Sequence, residues 1–201
     1  IDNGMPCVVM KAQDVGITGY EDRDTLDKDV ALKARIEAIR LAVGERMNLG
    51  DVKEKSVPKM MLVAPPKNGG AVTVRSFIPH RAHASIGVLG AVSVATACLL
   101  PGSPAAEVAV VPEGQRKTLS VEHPTGEFSV ELGLDPVNPQ NVTRAALLRT
   151  ARVLMRGEVM FIPFGSASLM RGLISSTAAR SPSTETSISS PLTVLPNSWP
   201  R

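Results

Sequence analysis

Apolar positions along the chain fall into short runs divided by polar turns, broken by two longer stretches with helical spacing. Cys7 to Met10 is a short apolar run entered from the turn Asp2-Asn3-Gly4, and it predicts a buried strand. From Asp29 to Met47, Val30, Ala34, Ile36, Ile39, Leu41 and Val43 recur at mixed three and four spacings among Lys, Arg and Glu. That spacing predicts an amphipathic helix, with Asp27 or Asp29 as its cap and Gly50 at its end. Lys59 to Ala64 and Ala71 to Phe77 read as the arms of a hairpin, joined by Pro65-Pro66-Lys67-Asn68-Gly69-Gly70, whose residues accept special backbone angles.

The stretch from His80 to Leu100 opens polar, turns almost wholly apolar and closes at Pro101-Gly102, as expected of a helix at a domain centre. Strands are predicted at Glu107 to Val111, Gln115 to Glu122 and Gly126 to Leu132, the last two joined at His123-Pro124-Thr125-Gly126. Thr143 to Met155 alternates Ala/Leu with Arg as a helix would, and Glu158 to Ile162 reads as a closing strand. Strands around a buried helix make an α+β domain, set here at residues 1–164. Beyond it, Ser, Thr and Pro dominate and no apolar periodicity survives, so residues 165–201 are expected to form a disordered or loosely attached tail.

Composition narrows the function classes. Apolar residues make up 43% of the 201 and charged ones 20%, the balance of a globular chain, while aromatics at 3% leave the packing to aliphatic side chains. A net charge of +3 arises from 22 basic and 19 acidic residues with no dense Lys/Arg run. With one Trp, one Tyr and four Phe there is no stacking platform either, which argues against nucleic acid. Cys7 and Cys98 are too few for a disulfide framework and stand in no zinc-binding spacing, which fits a reducing cytoplasm. The apolar stretch Ile86 to Leu100 falls short of the roughly 20 residues that cross a bilayer. Gly87 and Gly90 lack a dinucleotide fingerprint, so no nucleotide cofactor is indicated.

Chemistry concentrates in Phe77-Ile78-Pro79-His80-Arg81-Ala82-His83-Ala84-Ser85-Ile86-Gly87, which sets two His, one Arg and one Ser at the amino end of the apolar helix. Unpaired backbone N–H groups and a positive macrodipole there, with Arg81 beside them, would hold a carboxylate. The competing reading makes Ser85 a helix cap and leaves Arg81 and the histidines solvated. His123 and Thr125 add polar groups from a hairpin turn or serve only the turn, and Asn3 offers an amide to a ligand or to its own turn. Cys7 and Cys98 read as small core residues.

Asp2-Asn3-Gly4-Met5-Pro6, then Ser76 through Gly87, then Glu122-His123-Pro124-Thr125-Gly126-Glu127-Phe128 follow one another as in the PrpF-like proteins. Arg144 to Glu158 is similar to that family's last helix, so the resemblance covers about Ile1 to Ile162. The family includes methylaconitate isomerase and 4-oxalomesaconate tautomerase. It implies a diaminopimelate-epimerase-like fold of two lobes, each a mixed, mostly antiparallel sheet wrapped around a central helix, with the site between them. Carried over residue by residue, Asn3, Arg81, His83, Ser85 and Ile86 would face the substrate, with His123 and Thr125 as contributors. The implied activity moves a double bond in an unsaturated tricarboxylic acid by proton transfer, without metal or organic cofactor. The lobe that holds the proton-moving residues in the family has no counterpart here. The base is therefore expected from that missing lobe, and this chain is expected to partner it or to self-associate. A noncatalytic carboxylate-binding or accessory protein, or an inactive fragment, remains the alternative.

Overall fold

In the computed structural model, residues 1–147 apart from Pro139 are described. Six strands form one mixed sheet in the order β1-β2-β3-β4-β5-β6: Cys7–Lys11, Lys59–Ala64, Val72–Phe77, Arg116–His123, Gly126–Leu134 and Val142–Leu147. The β1–β2 and β3–β4 pairs are parallel and the others antiparallel. Four α-helices accompany them: α1 (Arg23–Lys28), α2 (Val30–Arg46), α3 (Val88–Ala97) and α4 (Pro104–Val108).

Strand alternation divides the core in two. On β2, Met61 and Val63 face α3, while Met60, Leu62 and Ala64 face α1 and α2. Both faces are covered, which is why the strand reads as a continuous apolar run. Every residue of α3 from Gly90 to Ala97 is buried, and the helix touches strands from β1 to β6, so the sheet curls around it. At Gly90 the helix lies so close to β2 that an added Cβ would stand 2.8 Å from Met61 Cε. The fold is α+β, as the sequence pattern predicts.

Two buried charges brace the structure. The inward stripe of α2 is Leu32, Ile36, Arg40 and Gly44, while Val30 and Leu41 face outward, so the apolar count misplaced this face. Arg40 is fully buried and donates to both oxygens of Glu37 and to the carbonyls of Val52, Lys53, Lys55 and Val57, fastening the loop after α2. Glu122 accepts from the Lys67, Asn68 and Gly70 amides and the Thr73 hydroxyl at 2.7–2.8 Å, closing the turn of the β2–β3 hairpin.

Several predicted elements change. The segment expected as a strand at Glu107 to Val111 begins within α4, which Ser103 caps by accepting from Ala106 and which has Pro at its first position. Helix α1, capped by Asp22, stands where the apolar pattern predicts no element. Thr143 to Leu147 is strand rather than helix, because pairing with β5 supplies backbone bonds that local propensity cannot match. The rest of that predicted helix, the strand at Glu158 to Ile162 and the tail at 165–201 lie outside the described residues. The central helix starts at Val88 rather than near His80.

Candidate functional site

The late start of α3 follows from the hydrogen bonding of the residues before it. Strand β4 pairs with β3 only at Val72 and Thr73, then turns away at His123. The chain after β3 doubles back alongside it instead. Ile78 donates to the Arg81 carbonyl at 2.9 Å, Ala82 bridges Phe77, and the His83 amide donates to the Ser76 carbonyl at 2.8 Å. Residues 82–84 thus act as a surrogate strand, further fixed by Asp27, which accepts from the Ala82 amide at 2.6 Å.

This path brings Ser85 to the β4–β5 turn. Its hydroxyl lies 3.1 Å from His123 Nε2, and its amide donates to His83 Nδ1 at 2.9 Å, which leaves the hydrogen of a neutral His83 on Nε2. Thr125 Oγ1 donates to the Ala84 carbonyl at 2.9 Å and stands 3.3 Å from His123 Nδ1, which also accepts from the Thr125 amide. Because Nδ1 accepts from the Thr125 amide, the hydrogen of a neutral His123 stands on Nε2 and is donated to the Ser85 hydroxyl oxygen, which leaves the hydroxyl hydrogen for another acceptor. Burial pushes the His123 imidazole below its ordinary value, against the Glu127 backbone bond and with the nearby Arg75 and His83 charges. The shift favours the neutral imidazole beside the Ser85 hydroxyl.

Ser85 does not cap the helix. Gly87 occupies that position and offers no side chain, so the first amides of α3 have no capping side-chain acceptor. These amides, Gly87 and Gly90 border a cavity of about 250 Å³ that also meets Met5, Lys59, Met61, Ser76, Ile78 and Leu89. Ser76 is 2% exposed, and its hydroxyl has no hydrogen-bond partner among the described residues.

The structure thus gathers His83, Ser85, His123 and Thr125 through direct hydrogen bonds. Ile86 is buried just before α3. Arg81 is exposed in the same loop, and its guanidinium makes no hydrogen bond or ion pair among the described residues. Asn3 lies apart: its carboxamide donates to Thr96 Oγ1 at 2.8 Å and its amide to Ser93 Oγ, tying the first turn to the later part of α3. Lys59 and Ser76 escaped the sequence reading because nothing in a run such as Lys-Met-Met-Leu-Val-Ala marks which residue ends beneath a helix terminus.

Burial lifts the Cys7 thiol to about 11 and the Cys98 thiol to about 12, so both are inert core groups. Among the described residues no three His, Cys, Asp or Glu side chains are grouped to hold a metal ion. Nor is any helix long and apolar enough to cross a membrane.

Comparison with known proteins gives this geometry a context. The chain is 80% identical over 159 residues to the (4E)-oxalomesaconate Delta-isomerase of Novosphingobium sp. (strain KA1), a match covering 79% of this chain and 44% of the relative. It is 58% identical to the 4-oxalomesaconate tautomerase of Pseudomonas putida over 79% of this chain and 43% of that protein. With the 2-methyl-aconitate isomerase of Shewanella oneidensis it shares 29% identity, covering 79% and 44% respectively. The chain therefore spans less than half the length of these curated relatives.

The crystal structure of methylitaconate-delta-isomerase superposes with a TM-score of 0.66 at 22% identity, covering 75% of this chain and 43% of that one, which establishes the shared fold. The family model described as PrpF protein matches residues 1–162, a span that takes in the Ser85–His123 pair, the α3 terminus and the whole sheet. The chain accordingly belongs to the PrpF family.

Proposed function

We propose that this chain is the carboxylate-binding lobe of an isomerase that moves a double bond in an unsaturated tricarboxylic acid of the 4-oxalomesaconate or methylaconitate type. The observation that carries this reading is the neutral Ser85–His123 couple held beside the uncapped amino end of α3. The names of the relatives support it, since they act on acids of this kind.

The reaction needs no change of oxidation state. A base removes a proton from the carbon next to the double bond, the electron pair delocalises into the conjugated carbonyl or carboxylate, and a proton returns at the far allylic carbon. Such a step is accelerated by donors aimed at the oxygen that gains charge. The first amides of α3 and the Ser85 hydroxyl serve as those donors, and Arg81 and His83 draw in the remaining carboxylates. The base comes from the first lobe of a diaminopimelate-epimerase-like pair, of which this chain is the second, and no metal or organic cofactor enters the scheme. Arg81, His83, the Ser85 hydroxyl and the α3 amides supply the binding groups, so selectivity among tricarboxylates resides in their spacing rather than their chemistry.

Titrating the purified chain with an unsaturated tricarboxylate, by calorimetry for binding and by ultraviolet absorbance for double-bond migration, tests the proposal. The expected result is binding without turnover, weakened at least tenfold in Arg81→Ala, a loss of about 1.4 kcal/mol. Turnover by this chain alone would relocate the base to it. Failure of the wild-type chain to bind any such acid would sink the reading.

A further inference from the structure

We propose that the cavity between the amino end of α3 and the start of β2 is a second carboxylate subsite, where Lys59 and Ser76 hold one arm of the substrate acid. The inference rests on the reading of this lobe as the acid-binding one. It assigns a role to residues outside the Ser85–His123 couple, which is not among those lining the cavity.

Three observations converge on the same space. Ser76 pairs with Met61 across β2 and β3, so its side chain shares the α3-facing side of the sheet. Its hydroxyl is buried and unpartnered among the described residues while lining the cavity. A buried hydroxyl without a partner costs roughly 1–3 kcal/mol, a penalty that a ligand oxygen removes.

Lys59 sits two residues before Met61 on that face, and its ammonium has no ion pair or hydrogen bond among the described residues. Burial pushes this ammonium below its ordinary value, with little relief from the neighbouring Cys7. The first turn of α3 adds its own positive end, with Gly87 leaving open space where a side chain would stand. Two unbalanced positive features and one idle hydroxyl describe a receptor for an anion.

The rest of the wall is aliphatic, from Met5, Met61 and Leu89. A cavity of about 250 Å³ far exceeds the roughly 30 Å³ share of one water molecule. It therefore admits a carboxymethyl arm, its CH₂ against the methionines and its carboxylate at Lys59. With one carboxylate there and another at the Arg81 loop, the site measures the separation of two acid groups along a carbon skeleton. That separation discriminates tricarboxylates from shorter acids.

Methionine methyl groups labelled with carbon-13 provide the test, because Met5 and Met61 report on the cavity directly. Adding trans-aconitate to the full chain is expected to shift both signals, and propionate to shift them only at far higher concentration. Lys59→Met and Ser76→Ala are each expected to weaken aconitate binding about tenfold, consistent with loss of one charge-assisted contact. Lys59→Arg should restore most of the affinity, and Ser76→Ala should raise the thermal midpoint of the free chain slightly, where a packing role would lower it.

Methyl signals that stay still while aconitate binds, or unchanged affinity in both variants, would overturn the subsite. The proposed function would survive that result if Arg81→Ala still weakens binding. Shifts sensitive to Lys59 and Ser76 but indifferent to Arg81 would uphold the subsite and remove Arg81 from the scheme. A wild-type chain that binds no acid would overturn both.

Discussion

Arg40 and Glu122 are buried charges whose every reachable partner is in place, whereas Ser76, Lys59 and the first turn of α3 are polar groups left waiting. Both regions hold polarity against an apolar core, yet only the first is complete among the described residues. A satisfied network rigidifies a fold, and an unsatisfied one lowers its stability unless something else binds. The contrast separates residues that serve stability from those that serve recognition more sharply than residue type does.

The largest break in that contrast should come from Arg40→Met. It leaves Glu37 and several loop carbonyls without their donor, and urea unfolding should show a loss of about 3–5 kcal/mol. A loss under about 1 kcal/mol would mean that the Arg40 network is ornamental. Glu122→Gln should follow, at about 2 kcal/mol, since hydrogen bonds to a charged acceptor are replaced by weaker ones.

Burial alone would raise the Glu122 carboxyl, but bonds from Lys67, Thr73, Gly70 and Asn68 outweigh it and hold the group below its ordinary value. Its stabilisation is therefore complete above the unfolded value, near 4.3, and is lost as pH falls through the lower native one. Stability measured against pH should show that acid limb in the wild type and a flatter one in Glu122→Gln.

On the recognition side the effects should be smaller. Native His123 titrates below the unfolded value of about 6.5, so the unfolded chain takes up its proton first as pH drops. Stability should decline from about pH 6.5 down to the native value and level off below it, and His123→Gln should remove that slope. A wild-type curve flat across this window would contradict the neutral couple. Last, and opposite in sign, Ser76→Ala should stabilise the free chain by about 1 kcal/mol, because no bond is lost and the penalty of the unpartnered hydroxyl is removed. A large destabilisation there would erase the distinction between the two regions.

Legibility in the sequence follows the same division. Alternation and turn residues located the β2–β3 and β4–β5 hairpins and the long α2, because each is decided by neighbours a few positions away. The buried stripe of α2 was missed, since Arg40 faces inward only for the sake of carbonyls up to 17 residues distant. The order of strands β5 and β6 overrode an Ala/Leu/Arg pattern that reads as helical.

At the site, the polar run from Arg81 to Ser85 announced itself, and so did His123 through its turn. Their meeting depends on β3 losing its β4 partner after Thr73, a tertiary event with no local signature. Lys59 and Ser76 were invisible for the same reason, as each looks like an ordinary member of its strand.

The surrogate strand at residues 82–84 also sets limits on how such a site changes through descent. Its bonds to Ser76, Phe77 and Asp27 fix the length of the loop as firmly as its path. One residue inserted between Arg81 and Ser85 would turn every following side chain to the opposite side and exchange the Ser85 hydroxyl for a methyl or a backbone group. Variation in this loop is thus channelled into replacing side chains one at a time, and its alignment among descendants should remain free of gaps even where the residues diverge.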